Sequence, residues 1–259
     1  MDLVNRADTR SATAGTGIKV SMFATCIGDA VYPRITEAMA RLLARVGVKL
    51  EFPPGQTCCG QPAFNSGYWD EARRSAATLL EAFADSDFVV GPSGSCIGMI
   101  HHYPKLFEQD PVRLAMAEEL KAKSYEFTQF LVQVLGVTDL GAAFPHKVTY
   151  HPSCHGSRLL GIKEEPMALL QNVKGIELVP LPFAEDCCGF GGTFAVKMAD
   201  ISGAMVTEKA DHVLETSAEV LTGLDMACLM NIAGHLRYRR KQVRVMHLAE
   251  LLYEGVSGA

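Results

Sequence analysis

Eight cysteines hold most of the chemistry legible in this 259-residue chain: Cys26, Cys58, Cys59, Cys96, Cys154, Cys187, Cys188 and Cys228. The first four are separated by 32, 1 and 37 positions and the last four by 33, 1 and 40. Matched members lie 128, 129, 129 and 132 residues apart, half the chain length, which is the mark of an internal duplication. The neighbours repeat as well: Thr57-Cys58-Cys59-Gly60 matches Asp186-Cys187-Cys188-Gly189, and Thr25-Cys26 matches Ser153-Cys154. Disulfide frameworks belong to short secreted chains with a signal peptide, whereas this chain is long and opens on a polar Thr, Ser, Ala and Gly mixture. Structural zinc usually takes paired ligands two to four residues apart, and the sequence contains no Cys-x-x-Cys. Buried structural thiols behave as small hydrophobes, but chance does not set all eight in two matched quartets. Soft-metal ligation fits the pattern best, with two adjacent thiolates and two distant ones converging on an iron–sulfur cluster.

Such ligands need a frame. Residues 17–23 form a short β-prone run that leads to Cys26, and residues 29–46 follow with Ile35, Met39, Leu42 and Leu43 at helical spacing. A strand over 48–52 breaks at Pro53-Pro54-Gly55 and delivers Cys58-Cys59-Gly60. A helix over 68–85 and a strand over 87–90 then lead to Cys96. The second half repeats the order, with strands over 147–150, 176–179 and 219–221, a helix over 199–215 and a last strand over 243–245. Residues 104–138 read as added helices. The expected class is α/β, two tandem pseudo-symmetric repeats, each a small parallel sheet flanked by helices with its cysteines after the strands. Ligands of open parallel sheets sit beyond the carboxyl ends of the strands. The expected units are a disordered tail over 1–16 and two repeats over 17–142 and 143–259.

Four more residues could join the site. His151 and His155 flank Cys154 and could ligate iron or donate hydrogen bonds to sulfur. Ser93 and Asp225 stand three positions before Cys96 and Cys228. Each is either an extra oxygen ligand or, for Asp225, a helix cap, a role that Asn or Ser fills about as well. Gly189-Phe190-Gly191-Gly192 has Phe194 where a dinucleotide loop needs its third glycine, so no nucleotide site is expected. The basic run Arg237, Arg239, Arg240, Lys241 and Arg244 suits a solvated helix end or a docking face for an acidic partner.

The composition, 48% hydrophobic and 20% charged, excludes a disordered or collagenous chain. A net charge of −5 argues against a nucleic-acid partner. No run of about 18 apolar residues occurs, so a transmembrane segment is not expected and a cytoplasmic location is. No catalytic residue is recognisable.

The two Cys-Cys-Gly motifs with their flanking cysteines resemble the cysteine-rich domain of heterodisulfide reductase and of the iron–sulfur subunits of glycolate oxidase and anaerobic glycerol-3-phosphate dehydrogenase. Gln56-Thr57-Cys58-Cys59-Gly60-Gln61-Pro62, Tyr150-His151-Pro152-Ser153-Cys154-His155 and Cys187-Cys188-Gly189-Phe190-Gly191-Gly192 are similar, more closely, to the lactate utilisation protein A family. That resemblance implies an iron–sulfur subunit working with two partner subunits to oxidise L-lactate to pyruvate, with all eight cysteines as ligands and one 4Fe-4S type cluster per repeat. The fullest form of the family pattern has five cysteines per half. Here Ser93 and Asp225 stand where the fifth would be, which argues against the non-cubane cluster of heterodisulfide reductase. Two alternatives stay open: an oxidoreductase of another 2-hydroxy acid or of thiols and disulfides that binds substrate at an open iron, and a zinc-stabilised scaffold without redox function.

Overall fold

The computed structural model describes residues 14–258. Eight strands form two parallel four-stranded sheets. The first holds β1 (Lys19–Met22), β2 (Lys49–Glu51), β3 (Phe88–Gly91) and β4 (Ser124–Glu126) in the order β2-β1-β3-β4. The second holds β5 (Lys147–His151), β6 (Glu177–Val179), β7 (Val220–Gly223) and β8 (Arg244–His247) in the matching order β6-β5-β7-β8. Val20 pairs with both Leu50 and Phe88, and Val148 with both Leu178 and Val220, so even the register repeats. The duplication read in the cysteines is therefore a duplication of fold.

The segment expected as one helix over 29–46 is two, Cys26–Ala30 and Pro33–Arg45. Proline disfavours helical backbone in the residue before it, and Tyr32 sits at φ −131°, ψ 57° while Pro33 opens the second helix. Ile35, Met39, Leu42 and Leu43 of that helix are buried. Met39, Leu42 and Leu43 share a core with Leu248, Leu251 and Leu252 of the final helix, Leu248–Ser257, while Ile35 packs into the cluster around Cys188 and Cys228. One core thus runs through both halves. Residues 104–138 hold the helix Pro111–Lys123 and also β4, a three-residue edge strand. Of the tail expected over 1–16, residues 1–13 lie outside the described residues, and the Gly15 amide donates to the Val46 carbonyl at 2.8 Å.

The cysteines lie just after the strands. Cys26, Cys96 and Cys228 are already inside the first turn of a helix, because Thr25, Ser93 and Asp225 cap those helices just ahead of them.

Candidate metal centre

The first quartet is assembled by three strand ends. Thr25 caps the helix Cys26–Ala30, its hydroxyl accepting from the Gly28 amide at 3.2 Å, and its backbone is left-handed at φ 65°. A threonine in that region costs on the order of 1–2 kcal/mol, and the turn sets Cys26 Sγ 3.7 Å from Cys58 Sγ. Gly60 follows the adjacent pair at φ 83° and donates its amide to Cys58 Sγ at 3.5 Å. Cys59 is buried, in side-chain contact with both Cys58 and Cys96, and its carbonyl accepts from Tyr103 Oη at 2.9 Å.

The second quartet repeats this construction. Ser153 takes the place of Thr25, accepting from the Gly156 amide at 3.0 Å. Gly189, at φ 79°, donates to Cys187 Sγ at 3.4 Å. Cys187 contacts Cys154 and Cys188, and Cys188 contacts Cys228. The Cys188 carbonyl accepts from Asn231 Nδ2 at 2.8 Å. Each quartet is local to its half, and all eight thiols are free.

Cys96 and Cys228 are each the third residue of a helix, Gly94–Leu106 and Met226–Tyr238. The amides and dipole of a helix N-terminus favour negative charge. The caps of these two helices, Ser93 and Asp225, pair with each other in an antiparallel bridge across the junction of the halves. Asp225 Oδ1 accepts from the Ala227 amide of its own helix at 3.2 Å. Its Oδ2 accepts from the Ser95 amide at 2.8 Å and the Ser93 hydroxyl at 3.3 Å, both in the other half. Asp225 is a cap of two helices at once. Ser93 likewise caps its own, accepting from the Cys96 amide at 3.2 Å.

Within each quartet the thiols hydrogen-bond one another and favour charge on one member. Hydrogen bonds from Cys26 and then Cys59 pull the Cys58 thiol down to about 2, and those from Cys154 and Cys188 do the same to Cys187. Donating to those thiolates and then burial push Cys26 and Cys154 far up. Like charges this close repel, so a set of thiolates here needs a multivalent cation to hold it together. An all-thiol donor set in a half-buried site matches a soft metal or an iron–sulfur cluster. A cavity of about 50 Å³ lies beside the first quartet, with Phe190, Gly192 and Met226 of the other half in its lining.

Both histidines named from the sequence lie at the second quartet. His151 is buried with neither ring nitrogen hydrogen-bonded among the described residues, and one of its ring nitrogens and the sulfurs of Cys188 and Cys228 lie within 4.8 Å of one another. Burial, then the charge of Lys209, depresses its pKa to about 3. His155 Nδ1 lies 3.5 Å from Cys154 Sγ and its Nε2 lies 3.1 Å from Gln61 Nε2, which also donates to the Ser95 carbonyl at 3.1 Å. An amide nitrogen only donates, so His155 Nε2 accepts and Nδ1 carries the proton toward Cys154. Gln61 and His155 thereby join the two quartets by hydrogen bonds. Lys209 is absent from any reading of the sequence: buried, it donates to the carbonyls of Phe183 at 2.7 Å and Ala184 at 3.2 Å in the loop before Cys187. A lysine on the same helix face as Val206, Ala210 and Val213 is the signal that points to it. His101 and His102 are part-buried, bonded to the Ser124 carbonyl and stacked on Phe64, away from the quartets.

Comparison with known proteins agrees with this geometry. The cysteine-rich domain family model, CCG, matches residues 20–101 and 148–233, one match per sheet. Lactate utilization protein A of Oceanobacillus iheyensis is 55% identical over 235 residues, covering 91% of this chain and 96% of that protein. The chain belongs to the lactate utilization protein A family. The family's members from Geobacillus kaustophilus and Bacillus subtilis are 54% and 52% identical, each over 91% of this chain. Among the described residues, no helix is long and apolar enough to cross a membrane.

Proposed function

We propose that this protein is an iron–sulfur electron-transfer subunit of a complex that oxidises L-lactate to pyruvate. Its relatives are named for lactate utilisation. The observation that carries the electron-transfer role is the pair of local, all-cysteine quartets, each with a thiol at a helix N-terminus. Cys26, Cys58, Cys59 and Cys96 would hold one four-iron cluster, and Cys154, Cys187, Cys188 and Cys228 the other. Such clusters supply one-electron transfer at a potential set by burial, charge and hydrogen bonds to sulfur.

Lactate oxidation releases two electrons and two protons, so a chain with two one-electron sites matches its stoichiometry. The residues here position rather than catalyse. Thr25 and Ser153 fix the turns that carry Cys26 and Cys154. Gly60 and Gly189 give their amides to the adjacent thiolates. Phe190 and Met226 of the other half line the first site. The Gln61–His155 contact offers a short bonded route between the quartets.

Anaerobic purification with its native partners, followed by iron and acid-labile sulfide analysis and assays against L-lactate and glycolate, tests the proposal. Iron, sulfide and lactate-dependent reduction are expected. Zinc without sulfide would refute the redox role, and activity on glycolate alone would refute the substrate.

A further inference from the structure

The duplicated fold allows each residue around one quartet to be compared with its counterpart around the other. The offset of 128 that matches Cys26 with Cys154 sets Phe23 against His151 and Ile27 against His155. Gly60 approaches Ala72 and Ser75 as Gly189 approaches Ser202 and Met205, an offset of 130 that sets Leu79 against Lys209. Three positions that are apolar at the first quartet therefore carry proton-bearing side chains at the second. Phe23 and Leu79 are buried in the apolar cluster that contains Cys59, with Phe23 edge-on to Phe83.

His151 is the most telling of the three. Leaving a buried polar group unpaired costs on the order of 1–3 kcal/mol, yet both its nitrogens lack a partner among the described residues. At the matched place of the first half the chain holds a phenyl ring, Phe23, in an apolar cluster. What lies within reach of the imidazole is the pair of sulfurs Cys188 and Cys228. A ring N–H that turns to donate to ligating sulfur would withdraw charge from it, as would the His155 Nδ1–H beside Cys154. The Lys209 amine behind the Cys187 loop acts in the same direction. Hydrogen bonds and positive charge near the sulfurs raise the reduction potential of a cluster.

Resting on the cluster reading above, we propose that the two centres are unequal, the second being the higher-potential one, with His151 donating to it as the residue that sets the difference. Electrons then enter at the first centre and collect at the second. The partner that removes them docks nearer Cys154 and Cys187 than Cys26 and Cys58.

The test is an anaerobic potentiometric titration of the full chain, loaded with iron and sulfide and followed by electron paramagnetic resonance, in wild type, His151→Phe and His151→Leu. Two distinct potentials are expected in wild type. Both variants should lower the upper one and leave the lower one in place, with iron and sulfide content unchanged. Pulsed measurements should show imidazole nitrogen coupling on the upper-potential signal, weakened in both variants to what His155 and the Gly189 amide leave. A single shared potential in wild type overturns the proposal, as do variants whose upper potential does not move or whose two potentials fall together. The smaller leucine keeps the test open where the phenyl ring fails to seat. Wild-type protein that takes up no iron or sulfide would refute the cluster reading itself, a result distinct from two equal potentials.

Discussion

Replacing Asp225 separates a simple helix cap from a bridge between the halves. The carboxylate is 2% exposed and accepts from three donors, the Ala227 amide on one oxygen and the Ser95 amide and Ser93 hydroxyl on the other. Asp225→Ala strips an acceptor from two amides in different halves. At about 1–3 kcal/mol per buried donor left unpaired, and with some relief from no longer burying a carboxylate, a net loss of about 2–4 kcal/mol is expected. Asp225→Asn keeps one acceptor oxygen and turns an NH2 group toward the other donor, so either Ala227 or Ser95 faces a donor and about 1–3 kcal/mol is lost. Asp225→Ser can cap its own helix, as Ser93 caps the other, but its hydroxyl is too short to serve Ser95 as well. The order of stability is therefore wild type, then Asn and Ser, then Ala. Urea denaturation of metal-free, reduced protein measures it without a contribution from bound metal. An Asn variant within about 0.5 kcal/mol of wild type, the range of an ordinary surface change, would refute the bridging role and leave a cap that Asn satisfies.

Further outcomes follow from the same geometry. A Cβ at Gly189 would meet the Ser202 carbonyl oxygen at 2.7 Å and one at Gly60 would meet the Ala72 carbonyl at 3.2 Å, both at left-handed φ. Gly60→Ala should thus cost about 1–2 kcal/mol and Gly189→Ala clearly more, and equal denaturation midpoints would contradict this. Cys59→Ser and Cys188→Ser should each lower iron content and loosen only their own loops, because binding and loop ordering are coupled; hydrogen exchange resolves the two loops, and unchanged iron would reduce that cysteine to packing. Burial raises the Glu126 carboxyl to about 7 against the opposing hydrogen bonds of Thr128. The folded chain therefore holds a proton between about 4.5 and 7 that the unfolded chain releases, and stability falls as pH rises through that window, by up to about 3 kcal/mol. Glu126→Gln should lack that slope while still accepting from the Thr128 and Gln129 amides, so the difference between the two stability–pH curves should change across the window; parallel curves would show that the carboxyl titrates normally.

Spacing alone divides the eight cysteines into the quartets that meet in the fold, because two adjacent thiols and a constant offset are properties of the chain itself. Strands rich in β-branched and aromatic residues, such as Lys147–His151, and the helix Ala199–Glu215 were legible for the same reason. What stayed hidden depends on contacts across the duplication. Ser-Tyr-Glu at 124–126 has no alternation to mark it, and it becomes a strand because β3 offers an open edge. The double role of Asp225 needs Ser95, 130 positions away, and the partnerless state of His151 needs the whole of its surroundings. Lys209 has no local sign of its carbonyl partners, since these lie in a loop 25 and 26 residues earlier.

The bridge between Ser93 and Asp225 also explains why the two halves cannot be identical at that position. Both residues cap the helix that bears the last cysteine of their quartet, and the pseudo-symmetry sets them face to face. In a strictly symmetric pair, each residue at the axis would meet its own copy. Two aspartates there would bury two carboxylates against each other, and the like charges would drive one to bind a proton. Two serines would cap their own helices and leave the Ser95 amide without an acceptor. One serine and one aspartate satisfy every donor with a single negative charge, set between two helix N-termini that favour it. Fusing the halves into one chain is what permits this choice, because only then can matched positions carry different residues. The same freedom allows Phe23 and His151 to differ, so the asymmetry at the axis and the inequality of the two centres have a common origin in the covalent joining of the repeats.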